Sequence, residues 1–191
     1  MGKKRVLIGV TGSIAAYKSC DIISSLRKSG FETRVVMSRD AGHFITPLTL
    51  QTLSCNRVVR DMFALPEKWD VCHTSLAEWA NLILIAPASA DIISRLACGL
   101  ADDILGAVVL AGEAKVLIAP AMNEKMYKHK AVRENIAKLK RFGYKFIGPK
   151  RGYLACGYEG MGHIADTQDI VKAVKKLFPP SPLPSPRRGE G

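Results

Sequence analysis

The sequence predicts an α/β protein built on a doubly wound parallel sheet, and three observations carry that expectation. Two apolar runs, 83–86 and 115–119, each end in an Ala-Pro-Ala turn, at Ala86-Pro87-Ala88 and Ala119-Pro120-Ala121. Val, Ile and Leu at successive positions suit strands covered on both faces, and Pro87 has no N–H with which to extend a ladder. A third apolar run, 6–10, feeds a Gly-Ser turn and then an amphipathic stretch, so strand, turn and helix recur along the chain. In such sheets ligands lie outside the carboxyl ends of the strands, which directs attention to the turns.

Residues 6–10 are the first expected strand, and Thr11-Gly12-Ser13 turns it into a helix over about 15–28 that Gly30 ends. Free backbone N–H groups at a helix start, the Ser13 hydroxyl and the positive helix end form an anion-binding arrangement. The spacing is neither Gly-x-Gly-x-x-Gly nor a P-loop, so a simple capped helix reads the same way. A second strand, 32–37, exits at Ser38-Arg39-Asp40 and brings another hydroxyl toward the same edge. Residues 43–53 read as a helix with Pro47 in its first turn, where a missing N–H is tolerated, and Phe44 stands near the ligand edge. Residues 55–72 show no period and are expected to form an irregular, mobile excursion, followed by His73 and a short helix at 75–79. A single histidine is more often structural than catalytic unless it reaches the ligand edge.

The central run, 83–92, passes through Ala88, Ser89 and Ala90, small enough for a flat ligand to approach the backbone closely. Helices are expected at 92–100 and from Asp102-Asp103 to about 110, then a strand at 115–119. Its exit carries Asn123, whose amide offers two donors and an acceptor and suits a carboxylate or amide. A helix at 131–142, a strand at 144–148, a glycine-rich loop at 152–162 containing Cys156, and a helix at 168–177 complete the pattern. Four glycines leave that loop few contacts, so it is expected to be mobile. Half of the ten prolines fall after Phe178. Residues 1–177 are therefore expected to be one folded domain and 178–191 a disordered proline-rich tail.

At 191 residues and 48% hydrophobic, the chain suffices for one domain with a full core. Its basic excess, 28 − 17 = 11, is local: ten basic residues lie between Lys125 and Arg151 against Glu134 alone. They cluster on one expected helix and its flanks with little aromatic interleaving, which reads as a solvated face rather than a nucleic-acid site, with attraction of phosphorylated small ligands between the two. Five cysteines, at 20, 55, 72, 98 and 156, form no Cys-x-x-Cys pair, the usage of a reducing compartment, and no metal is expected. The run at 6–10 is too short for a signal peptide or membrane span, so a soluble cytoplasmic protein is expected.

Taken together, Thr11-Gly-Ser-Ile-Ala-Ala-Tyr-Lys18, His73, Ala86-Pro-Ala-Ser-Ala-Asp91, Pro120-Ala-Met-Asn-Glu-Lys-Met126 and Leu154-Ala-Cys-Gly157 resemble the flavin-containing cysteine decarboxylases over about residues 4–177. The resemblance implies a flavodoxin-like fold, FMN, trimers or assemblies of trimers with the flavin near a subunit interface, and a cysteine-derived carboxylate as substrate. It puts the FMN phosphate and ribityl chain by Thr11, Gly12, Ser13 and Ser38, and the ring by Phe44, Ser89, Ala90, Asp91 and Ala121. It makes His73 the catalytic base, Asn123 the holder of the substrate carboxylate and Cys156 the proton donor, with Tyr153, Leu154 and Ala155 along the substrate. An unactivated cysteine carboxylate has no electron sink; oxidising the thiol-bearing carbon to a thioaldehyde lets CO2 leave as a stabilised enethiolate is formed, and hydride return with a proton from Cys156 completes the cycle.

Three positions depart from the family pattern. Asp91 stands where Asn is usual, and an ionised carboxylate there would oppose negative charge on reduced flavin, unless it serves only as an acid at a helix N-terminus. Tyr127 replaces Trp, and Gly162-His163-Ile164 replaces Gly-Arg-Met. The resemblance stops short of the synthetase domain fused to many bacterial relatives, so a separate ligase is expected. Two other readings stay open: a related flavin enzyme, acting on peptide C-terminal cysteines or transferring prenyl groups, and a non-catalytic FMN-binding regulatory subunit.

Overall fold

The computed structural model describes residues 4–63, 72–153 and 155–178. Six parallel strands form its central sheet: β1 (Arg5–Val10), β2 (Glu32–Met37), β3 (Val58–Val59), β4 (Leu82–Ala88), β5 (Lys115–Pro120) and β6 (Lys145–Phe146). Their order is β3-β2-β1-β4-β5-β6. The chain winds outward from β1, returns to the centre at β4 and winds outward the other way, so the topological switch point lies between the ends of β1 and β4. Apart from the two-residue edge strand β3, the order is that of the flavodoxin type.

Alternation along the strands divides the core in two. Val6, Ile8 and Val10 of β1, with Leu82 and Leu84 of β4, meet α1 (Lys18–Lys28), α2 (Pro47–Ser54) and α8 (Thr167–Leu177) through Ile22, Ile23, Leu26, Leu50, Ile170 and Val174. Leu7, Val36, Ile83, Ile85 and Ile118 point the other way, onto α3 (Cys72–Trp79), α4 (Ala90–Cys98), α5 (Ile104–Ala111) and α7 (Lys130–Arg141). Gly9 faces that second layer because a β-carbon there would lie 2.7 Å from Leu105 Cδ1. Every residue of β4 is buried, which is why its sequence reads as a continuous apolar run.

The termini of these elements follow from local chemistry. Strand β4 runs past Pro87 to Ala88, further than the missing N–H predicts, because Ala88 pairs with Pro120 of β5 past an irregularity and accepts from Ala121 N at 3.0 Å, while Thr11 Oγ1 donates to Pro87 O at 2.8 Å and accepts from Ser89 N at 2.9 Å. Helix α4 opens at Ala90 because the Ser89 hydroxyl accepts from Ile92 N at 3.3 Å. Helix α3 begins at Cys72, so His73 lies inside it rather than ahead of it. The Trp79 ring at its other end lies 4.5 Å from the Arg34 guanidinium and 5.9 Å from that of Arg5 at the start of β1. Helix α3 thus runs back along the sheet, and His73 stands about 9 Å from Trp79 along the axis, toward the carboxyl edge.

Three expectations are corrected. The stretch expected to be irregular contains β3, paired with β2 at Val35 and Val36, and ends in Cys72, the first residue of α3, while 64–71 lie outside the described residues. Phe178 belongs to the body rather than the tail: its ring packs edge-on against Phe31 at 5.1 Å, while 179–191 lie outside the described residues. The glycine-rich stretch is an antiparallel ribbon of β7 (Lys150–Tyr153) and β8 (Glu159–His163), not a loosely held loop. It is fixed to the exit of β5, where Met122 N donates to Gly162 O at 3.1 Å, and to α6 (Glu124–Lys128), where Glu124 Oε1 accepts from Met161 N at 3.1 Å. A β-carbon at Gly162 would lie 2.1 Å from Met122 O, so glycine is needed for this close approach rather than for mobility.

Candidate active site

The exits of β1, β4 and β5 meet the tip of the ribbon around a cleft of about 550 Å³ at the switch point, a size usual for small-molecule sites. Gly12, Ser13, Ser89, Ala90 and Ala121 form its small-residue floor. Ser13 Oγ caps the 3-10 turn Ile14–Tyr17 by accepting from Ala15 N, and donates to Ala121 O, both at 3.3 Å, which ties the β1 exit to the β5 exit. Lys18 and His163 supply polarity at one end; His163 is tied through Nδ1 to Ile164 O at 2.8 Å. A larger, more open groove of about 800 Å³ lies between α6, α7 and the ribbon, where Glu124 pairs with Lys128 and Glu159 faces Arg151. That groove is part of the basic face legible in the sequence and contains none of the three strand exits.

The cleft brings together Gly12, Ser13, Ser89, Ala90, Ala121, Asn123, Tyr153, Ala155 and Cys156 from the sequence-derived site. Thr11 does not line it: buried and committed to Pro87 and Ser89, its hydroxyl is part of the frame. Ser38 caps the adjacent 3-10 turn Arg39–His43 by accepting from Ala41 N at 3.3 Å. This turn abuts the cleft floor, since a β-carbon on Gly12 would lie 2.8 Å from Asp40 Cβ. Phe44 follows as an exposed ring outside the lining. Asp91 also lies outside it, its carboxylate 2.8 Å from Arg95 Nε, and Arg95 in turn holds Asp102 well below the usual carboxylate range. Asp91 is thus the acid of a helix's first turn rather than a negative charge in the cleft. His73 is half-buried on α3 and not among the lining residues. Leu154 lies outside the described residues.

One side chain organises the reactive end. Asn123 caps α6, its Oδ1 accepting from Lys125 N at 2.8 Å, which fixes the amide orientation. The opposite atom, Nδ2, lies 3.4 Å from Cys156 Sγ and 3.3 Å from Tyr158 OH. Contact with the Cys156 sulfur pushes the Tyr158 phenol above its ordinary range, against the Asn123 amide, which lowers it. Glu124, next in sequence, is held below the usual carboxylate range first by Lys128 and then by the Met161 N–H. Tyr158, Lys18 and Met122 escaped the sequence reading; only the two-residue distance of Tyr158 from Cys156 hinted at its place.

Fold and cleft together define a doubly wound α/β protein that takes a small ligand at its topological switch point. Residues 1–178 match the Flavoprotein family model, and the chain belongs to that family. It is 45% identical over 175 residues to a probable phosphopantothenoylcysteine decarboxylase of Streptococcus mutans, covering 91% of this chain and 98% of that one. It is 45% identical over 178 residues to the coenzyme A biosynthesis bifunctional protein CoaBC of Bacillus subtilis, covering 93% of this chain but only 44% of that one. The chain thus spans less than half the length of its bifunctional relatives. Among solved structures it resembles a PPC decarboxylase mutant complexed with pantothenoylaminoethenethiol, with TM-score 0.82, 29% identity and coverage of 92% of this chain and 98% of that one. It also resembles the FMN-dependent cysteine decarboxylase SpaF, with TM-score 0.80, 32% identity and coverage of 91% and 96%.

The residues present fit such a cofactor. Small side chains leave the floor open to a flat ring, while a hydroxyl-capped helical start and Lys18 suit a phosphate.

Proposed function

We propose that the chain is an FMN-dependent carboxy-lyase that decarboxylates phosphopantothenoylcysteine to phosphopantetheine in coenzyme A biosynthesis. The observation that carries this reading is the Asn123 amide, locked by its cap and held 3.4 Å from the Cys156 sulfur at the rim of a flavoprotein cleft. Gly12, Ser13 and Ser38 would hold the cofactor phosphate and ribityl chain, with Phe44, Ser89, Ala90 and Ala121 around the ring. Bound FMN supplies the two-electron sink and source that an unactivated cysteine carboxylate lacks.

Asn123 orients the carboxylate through Nδ2, a donor held in position before substrate arrives. Cys156 delivers a proton to the substrate carbon after CO2 has left, and Tyr153, Leu154 and Ala155 lie along the substrate chain. His73 is the base. Because it stands on α3 outside the cleft lining, a second copy of the chain brings it to the cleft, in an assembly based on trimers. Exposed Ile14, Tyr17, Met126 and Tyr153 at the cleft supply apolar area for such a contact. The protein works in the cytoplasm, in a pathway that also uses phosphopantothenate–cysteine ligase activity. No nucleic acid or membrane takes part, and no helix among the described residues is long and apolar enough to cross a membrane.

The test is direct: purified, FMN-loaded protein is incubated with phosphopantothenoylcysteine, and CO2 and phosphopantetheine are measured. Release of both in equal amounts supports the reading. Release of CO2 only from peptides ending in cysteine would instead make it a peptidyl-cysteine decarboxylase, and FMN binding with neither activity would make it a regulatory subunit.

A further inference from the structure

Cys156 is not isolated at the cleft rim. The nitrogen that lies 3.4 Å from its sulfur also lies 3.3 Å from the hydroxyl of Tyr158, across the turn at the ribbon tip. An amide nitrogen carries two hydrogens, enough for both partners, and the Asn123 cap prevents it from turning away. Amide, thiol and phenol thus form one polar cluster. Tyr158 is 37% exposed and does not line the cleft itself. Among the described residues, its path to the sulfur runs through the Asn123 amide.

We propose that Tyr158 is a positioning residue for Cys156 that acts through Asn123: its oxygen holds one hydrogen of the amide while the other holds the sulfur and stabilises the thiolate left when the Cys156 proton has moved to the substrate. This inference rests on the decarboxylase reading above. In the step, the S–H bond breaks and a C–H bond forms on the enethiolate carbon; the sulfur keeps the electron pair, and water restores the thiol as product leaves. The phenol acts as an anchor for the amide rather than a proton source. An ordinary phenol, at a pKa of about 10, is already a weaker acid than an ordinary thiol at about 8.5, and the sulfur contact raises Tyr158 further. A donor to a charged sulfur favours the charged form.

Tyr158→Phe keeps the ring and removes the hydroxyl that holds the amide, whereas Tyr158→Ala removes both. Two readouts are compared in FMN-loaded protein: the rate of Cys156 alkylation by iodoacetamide at neutral pH, resolved from the other cysteines by peptide mass spectrometry, and the ratio of enethiol to saturated product during turnover. Freeing the amide weakens its hydrogen bond to a charged sulfur and disfavours the thiolate by up to about tenfold. Greater intrinsic nucleophilicity of the more basic sulfur offsets part of this, so alkylation in Tyr158→Phe should slow about threefold. The enethiol fraction should rise. If Tyr158→Phe matches the wild type in both readouts while Tyr158→Ala is impaired, the residue only packs and the assignment falls. If the wild type releases no CO2, the decarboxylase reading falls and takes the proton-transfer role with it. Wild-type release of CO2 with unchanged alkylation in Tyr158→Phe overturns the Tyr158 assignment alone.

Discussion

Asn123 performs two tasks with the two ends of one amide, and a substitution can separate them. Asp caps a helix about as well as Asn, so Asn123→Asp should keep the bond from Lys125 N and leave Tm within about 2 °C of the wild type. It removes the Nδ2 donor and places a negative charge where a carboxylate should bind. Loss of one hydrogen bond to a charged group weakens substrate binding by about tenfold or more, while FMN, held at other residues, stays bound. Titration calorimetry of substrate and the visible spectrum check the two halves, and unchanged substrate affinity would remove Asn123 from the site. Cys156→Ser makes a complementary test: a hydroxyl is much less acidic than a thiol, so CO2 is released and the enethiol accumulates. Mass spectrometry sees a species about two hydrogen masses lighter than the saturated product, as the two-electron cycle requires; normal turnover to the saturated amine thiol would leave Cys156 with no part in the chemistry. Asn123 and Cys156 were legible because their local motifs carry them. Tyr158 was not, since its partner Asn123 lies 35 positions away and only the ribbon fold joins them.

At the scale of elements, the ribbon decides whether the reactive end holds its shape. Its strands were illegible because Glu159-Gly-Met-Gly-His163 has no β-branched residues and only glycines at its alternate, buried positions; backbone pairing and anchors on α6 override the weak local preference. The buried runs of β1, β4 and β5 were legible because burial on both faces leaves only apolar choices. Gly162→Ala would press a methyl onto Met122 O, and overpacking of about 1–3 kcal/mol should lower Tm by about 2–10 °C. The lost register should also slow turnover, and a thermal melt matching the wild type would show that the ribbon is not docked there. Acid should loosen the same anchor. The Glu124 pKa is depressed in the folded protein, so its contribution is present above the ordinary carboxylate pKa and is lost as pH falls through the lower folded value. Hydrogen exchange at the Met161 amide should therefore accelerate, relative to its intrinsic rate, below the usual carboxylate range, and Glu124→Gln should remove that pH dependence.

At the scale of the whole molecule, the proposed role of His73, set against its separation from the cleft, would make assembly part of the chemistry. Helix α3 runs back along the sheet and points its start toward the carboxyl edge, yet the residues around Asn123 and Cys156 do not include His73. If a neighbouring copy supplies that histidine, two inactive variants should repair each other. Each cleft in a cyclic assembly draws on its own Asn123 and Cys156 and on one neighbour's His73. His73→Asn carries intact Cys156, and Cys156→Ser carries intact His73. After equal amounts are dissociated and reassembled at random, about a quarter of the clefts pair an intact thiol with an intact histidine, as independent drawing of two neighbours in a closed ring requires. The mixture should regain about a quarter of wild-type phosphopantetheine formation, while either variant alone stays near zero and simple mixing without subunit exchange restores nothing. Sedimentation of the reassembled, FMN-loaded protein should give trimers or multiples of trimers. A fully exchanged mixture that remains inactive would place His73 in the same chain's cleft, turnover by His73→Asn alone would put it outside the mechanism, and an FMN-loaded monomer that turns over would remove the neighbour altogether.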